Sequence, residues 1–148
     1  MNTWNMKSAL LYIMFYSALV AEAQQAQHVM PTKPKNVALP TAMYSTLYDS
    51  CTQLDIVFIT GKGGSMSLEG KNVKFFTSFV QPKSADKAPN APQDGLIMWQ
   101  INGREYLTAN IYFTGDSSGY LLFNKNNHEY INSLTSQGAH FLKTRGGK

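Results

Sequence analysis

The stretch that decides the fold is Leu96-Ile-Met-Trp-Gln-Ile101, then Asn102-Gly103, then Arg104-Glu-Tyr-Leu-Thr-Ala-Asn-Ile-Tyr-Phe113. Two runs rich in β-branched and aromatic residues flank a dipeptide suited to a type I′ turn, whose two central residues both need positive φ. A two-residue loop predicts a register in which Ile101 faces Arg104, Trp99 faces Tyr106 and Ile97 faces Thr108. Those six share one face. Leu96, Met98, Leu107 and Ala109, extended by Ile111 and Phe113, share the other. That second face, mostly aliphatic, is expected to be the core face. The Trp–Tyr face is expected to be half exposed.

Short strand-like runs continue on both sides of this hairpin. Asp55-Ile-Val-Phe-Ile-Thr60 stops at Gly61-Lys-Gly-Gly64, and Ser65 to Glu69 alternates up to a turn at Gly70-Lys71. Val73-Lys-Phe-Phe-Thr-Ser-Phe-Val80 reads as a longer strand. Tyr120-Leu-Leu-Phe123 lies between turns at 114–119 and 124–127, and His128 to Leu134 suits a final strand or a short helix. Met43, Leu47 and Cys51 recur every four residues, which predicts one short helix from Thr41 to about Gln53, although Tyr44, Tyr48 and Thr46 suit a strand nearly as well. The expected class is mostly β: a small antiparallel sandwich or barrel with room for one short helix.

The amino-terminal end carries a different signal. Lys7 precedes the uncharged stretch Ala9 to Val20, which ends in Ala21-Glu22-Ala23. That is the pattern of a secretory signal peptide, with cleavage expected after Ala23. The apolar run falls short of the roughly 20 residues that span a bilayer, so no transmembrane anchor is expected in the mature chain. Residues 24–40 hold Gln24, Gln25 and Gln27 with Pro31, Pro34 and Pro40, and read as a flexible arm. The β-rich domain then covers 41–142, and 143–148, with Lys143, Arg145 and Lys148, reads as a basic frayed tail. Removing 23 of 148 residues leaves material for one domain.

Charge and cysteine narrow the classes of function. The net charge is +4 and the cations are scattered, which does not make the Lys/Arg stripe of a nucleic-acid binder. Cys51 is the single cysteine, so no disulfide forms within the chain. A buried thiol is the expected state, with pairing to a second copy, and hence a homo-oligomer, as the alternative.

Candidate chemistry is sparse. Gly115-Asp-Ser117-Ser-Gly119 has the spacing of a nucleophile elbow, but the elbow needs a helix after the serine, and a strand follows here. Gly61-Lys-Gly-Gly64 lacks phosphate-loop spacing. His28, His128 and His140 stand far apart, without metal-ligand spacing. No catalytic residue, cofactor or metal is therefore expected, and an enzyme ranks third among the readings. Recognition by surface ranks first. Trp99, Arg104 and Tyr106 form a candidate binding patch on the hairpin. Lys83, Ser84 and Lys87 belong to the polar stretch 81–95, which holds three prolines; loops of that length often carry function or are tolerated insertions.

Leu68-x-Gly70-Lys71, Ser84-Ala85, Asp94-Gly-Leu-x-x-Trp99 and Gly103-x-Glu105 follow an order that loosely resembles the periplasmic inhibitors of c-type lysozyme. The resemblance implies a small exported β-barrel that blocks a hydrolase by presenting a loop, here 81–95. This chain departs from the family where Asp86-Lys87 follows Ser84-Ala85 and where the usual cysteine pair is missing. The first expectation is an exported protein-binding domain, periplasmic or secreted, in a bacterial envelope or secretion/conjugation-type assembly. The alternative is a hydrolase inhibitor.

Overall fold

The structure is a computed structural model that describes residues 36–88 and 90–146. The expected signal peptide (1–23) and residues 24–35 of the expected arm lie outside the described residues. In chain order the elements are α1 (Thr41–Asp49), β1 (Gln53–Phe58), β2 (Gly64–Glu69), α2 (Lys71–Thr77), β3 (Val80–Ser84), β4 (Gly95–Ile101), β5 (Arg104–Gly115), β6 (Ser118–Lys125), β7 (His128–Leu134) and α3 (Ser136–Gly146).

The mostly-β, antiparallel class holds. All seven strands lie in one sheet of order β2-β1-β4-β5-β6-β7-β3, and the layer facing it is helical. Four hairpins build most of the sheet because their turns are local and inexpensive. Asn102 and Gly103 have φ of 50° and 73°, as a type I′ turn requires, and Asn126 and Asn127 do the same for β6–β7 at 52° and 62°. Gly115-Asp-Ser-Ser-Gly119 is the β5–β6 turn.

One bulge changes the expected faces. Ile101 pairs with Arg104 and Gln100 with Glu105, as a two-residue loop dictates, but Trp99 pairs with Leu107, leaving Tyr106 as the extra residue. Without the bulge, Ile97 and Trp99 would share a face with Tyr106 and Thr108, mixing the apolar side of β4 with the polar side of β5. The extra residue shifts the phase by one, so Ile97 and Trp99 join Leu107, Ala109 and Ile111, all fully or almost fully buried. The expected core face is thus correct for β5 and reversed for β4, where Leu96 and Met98 are only half buried.

Leu54, Ile56 and Phe58 of β1 and Leu121 and Phe123 of β6 complete the inner face. Leu47 of α1, Val73 and Phe76 of α2, and Ala139 and Leu142 of α3 cover it. The segment expected as a long strand, Val73 to Val80, is therefore α2 followed by the start of β3. Within α2 the buried residues Val73, Phe76 and Thr77 recur at helical spacing, and Phe79 and Val80 are buried beyond its end. Tertiary packing on the sheet overrides the β-leaning composition of that stretch.

Of the expected frayed tail, 147–148 lie outside the described residues and 143–146 are helical instead. They are the last turn of α3, and Gly146 accepts a hydrogen bond through its carbonyl from Lys62 N at 3.0 Å. A Cβ at Gly146 would lie 2.8 Å from the Phe58 ring, and one at Gly138 would lie 2.5 Å from Phe79 Cβ. The helix can approach the core only with glycine at both places. Residues 36–40 of the expected arm are docked. Ile131 N donates to Val37 O, Leu39 N donates to the Asn132 side chain, and Leu39 is buried.

β6 is buried on both faces, which explains its four consecutive apolar residues Tyr120 to Phe123. The outward pair, Tyr120 and Leu122, joins Ile131 in a small second cluster. Because β3 lies at the far edge beyond β7 and β4 lies beyond β5, the connection between them packs Ala85 and Ala88 onto this outer cluster.

Candidate functional site

The residues of the expected patch do not come together. Trp99 is 0% exposed, its Nε1–H donates to Thr77 Oγ1 at 3.1 Å, and its ring packs on Phe76 and Phe123. It is core, and the bulge is the reason. Arg104 and Tyr106 lie at the β4–β5 tip, where Lys125 Nζ donates to Tyr106 O and sits 5.2 Å from the Tyr106 ring centre. Lys83 and Ser84 are on β3, three strand spacings from β5, roughly 14 Å across the sheet. Lys87 is paired with Glu129 at 3.0 Å. With Ala85 and Ala88 packed on the sheet, this part of the 81–95 loop lies along the outer face rather than projecting from it.

A different site lies where α2 and α3 meet. Val73, Phe76 and Thr77 form the buried stripe of α2, and at about 100° per residue Phe75 falls on the opposite side of the helix. Phe75 is left 55% exposed. Its ring meets Phe79 edge-on at 4.8 Å, and Phe79 in turn contacts Phe76 and Phe141. Phe76 continues the series inward to Trp99. Aromatic contacts therefore run unbroken from the centre of the core to the surface. Phe75, Phe79 and Phe141 form the apolar floor of an open cleft of about 380 Å³, with Gln137, His140, Thr144 and Arg145 around it.

Arg145 is the charged residue that lines the cleft, and no lining residue is a carboxylate. Neither α2 nor α3 carries a carboxylate, while together they carry Lys71, Lys74, Lys143, Arg145 and His140. Lys74 lies 3.9 Å from Asp49 and Lys143 lies 3.6 Å from Asp116. The Arg145 guanidinium sits over the Phe141 ring at 5.6 Å, held by the ring's negative face. Lys71 precedes Phe75 by one helical turn, on the same side of α2. Such a site suits an apolar group beside negative charge.

Sequence reasoning missed Phe75, His140, Phe141 and Arg145, because it placed them in a strand and at or before a frayed end. The available signal was the helical spacing of Val73, Phe76 and Thr77, which leaves Phe75 off the buried stripe.

Cys51 is buried, as expected, just beyond the end of α1. Burial pushes its thiol up from an ordinary value of 9.0 to about 11. An unfolded chain would ionise first, so the thiol's contribution to stability is intact below pH 9 and is lost as pH rises toward 11. Wild type should therefore lose stability over that window relative to Cys51→Ala. Its thiol should react with an alkylating reagent slowly when folded and fully in denaturant. Fast labelling of the folded chain would contradict this burial.

No helix among the described residues is long and apolar enough to cross a membrane. Comparison of the chain with protein-family models, with curated proteins and with solved structures finds no match.

Proposed function

We propose that this chain is an exported protein-binding domain, a component of a bacterial envelope or secretion/conjugation-type assembly, and that it engages its partner through the α2–α3 cleft. The observation that carries the reading is Phe75, more than half exposed over an aromatic floor between two helices without a carboxylate. A large ring kept in water on a rigid scaffold is what interface hot spots look like before binding. Export is supported by the uncharged run Ala9 to Val20 and the small-x-small end at Ala21-Glu22-Ala23. The inhibitor reading asks the 81–95 loop to project, and the packing of its Ala85 and Ala88 against Tyr120, Leu122 and Ile131 makes the cleft the better carrier.

A photo-crosslinking residue at position 75 in the full chain, expressed in its native cell, tests both parts. Envelope-associated adducts should form from position 75 and not from exposed Glu69, on a chain whose sequenced amino terminus begins at Gln24 within about three residues. A chain retaining Met1, or adducts equal at both positions, would overturn the reading.

A further inference from the structure

We propose that the occupant of the α2–α3 cleft is an acidic segment of a partner chain that inserts one large apolar side chain between flanking carboxylates. This deepens the preceding reading and rests on it. The cleft, at about 380 Å³, is at the small end of the range for sites that enclose a ligand, so it suits one anchor rather than a large molecule. Phe75, Phe79 and Phe141 supply the apolar floor for that anchor, and Arg145 at the edge, with Lys71 one helical turn from Phe75, sets the sign of what surrounds it.

Charge also decides between possible occupants. The chain's own residues 24–35 carry Lys33 and Lys35 and no carboxylate, so folding back into the cleft would set like charges together. A second copy meeting this face through a two-fold axis would present the same two carboxylate-free helices and so offer Lys71 and Arg145 no carboxylate from them. A partner segment rich in Asp or Glu meets neither obstacle. It gains long-range attraction during approach and close ion pairs with Arg145 and Lys71 once the anchor is seated.

The test uses the full mature chain and three synthetic 12-residue peptides: a central Trp flanked by glutamates, the same peptide flanked by lysines, and the glutamate peptide with Ala for Trp. Binding is read by amide chemical-shift perturbation at 50 and 300 mM salt. The Glu–Trp peptide should bind, shift residues of α2 and α3, and weaken with salt. Phe75→Ser should reduce its affinity by about tenfold or more. Arg145→Glu should reduce it several-fold and improve binding of the lysine peptide. Both substitutions are at exposed positions, and an unchanged thermal midpoint checks that each variant is folded.

Equal binding of the Glu and Lys peptides, or indifference to Arg145→Glu, overturns the acidic assignment. If envelope adducts at position 75 persist in that case, the docking site itself stands. Conversely, selective peptide binding without envelope adducts sinks the assembly reading and leaves the chemistry of the cleft intact. A dimer abolished by Phe75→Ser, or displacement of residues 24–35 by the Glu–Trp peptide, would assign the cleft to the chain itself and overturn the proposal.

Discussion

Trp99→Ala is expected to lower the free energy of unfolding by about 3–5 kcal/mol, the range for removing a large buried aromatic residue. Trp99 is fully buried, packs on Phe76 and Phe123, and its indole N–H satisfies Thr77 Oγ1, which is also fully buried. Truncation would leave a cavity at the junction of α2 with β4 and β6 and deprive a buried hydroxyl of its donor. Trp99→Phe separates these contributions. It retains most of the apolar contact and loses the hydrogen bond, so it should cost less, on the order of 1–2 kcal/mol. Chemical denaturation of the three chains measures both. The result also discriminates between registers. Had the hairpin kept its two-residue register, Trp99 would lie beside Tyr106 on the half-exposed face, where truncation changes stability by about 0.5 kcal/mol or less. A Trp99→Ala midpoint close to wild type would therefore remove the bulge, and with it the account of the core.

What the sequence conveyed follows the range over which each signal acts. Turns are local, and Asn102-Gly103 specified its hairpin because the positive φ is a property of those two residues. The alternation of β5 was also legible, since Leu107, Ala109 and Ile111 are apolar against Thr108 and Asn110. β4 was not, because Leu96, Ile97, Met98 and Trp99 are all apolar and either face could have been the inner one. The partner strand settles that choice, through a bulge that no residue type announces. α2 was hidden for a related reason. Val73, Phe75, Phe76, Phe79 and Val80 all favour strands by composition, and only their spacing favours a helix. α3 was hidden by its glycines: Gly138 and Gly146 weaken a helix in isolation, and their value appears only against Phe79 and Phe58. The candidate site was therefore the least legible part. It exists where two elements of ambiguous sequence meet, and its central residue, Phe75, is notable only once Phe76 is known to point inward.

The edge at β3 supplies the second large effect. Asn132→Leu is expected to cost about 2–4 kcal/mol although leucine has the same branched heavy-atom skeleton, because a buried backbone N–H and a part-buried carbonyl would lose their partners. β3 pairs with β7 at Val80↔Leu134 and Ser84↔Asn132, with an irregular register between them. Into that irregularity Asn132, 0% exposed, directs its amide. Its Nδ2 donates to Gln81 O at 2.8 Å, and its Oδ1 accepts from Leu39 N at 2.9 Å. One side chain thus joins β3, β7 and the segment before α1. Asn132→Asp tests the two bonds separately. The carboxylate can still accept from Leu39 N but faces the Gln81 carbonyl without a proton to offer, so at neutral pH it should be destabilising, and less so once acid protonates it. Hydrogen exchange at the Leu39 amide adds a local readout: it should accelerate strongly in Asn132→Leu and only modestly in Asn132→Asp. If Asn132→Leu unfolds within about 0.5 kcal/mol of wild type with Leu39 still protected, the docked segment is held by Leu39 burial and the Ile131–Val37 bond, and Asn132 is not its clasp.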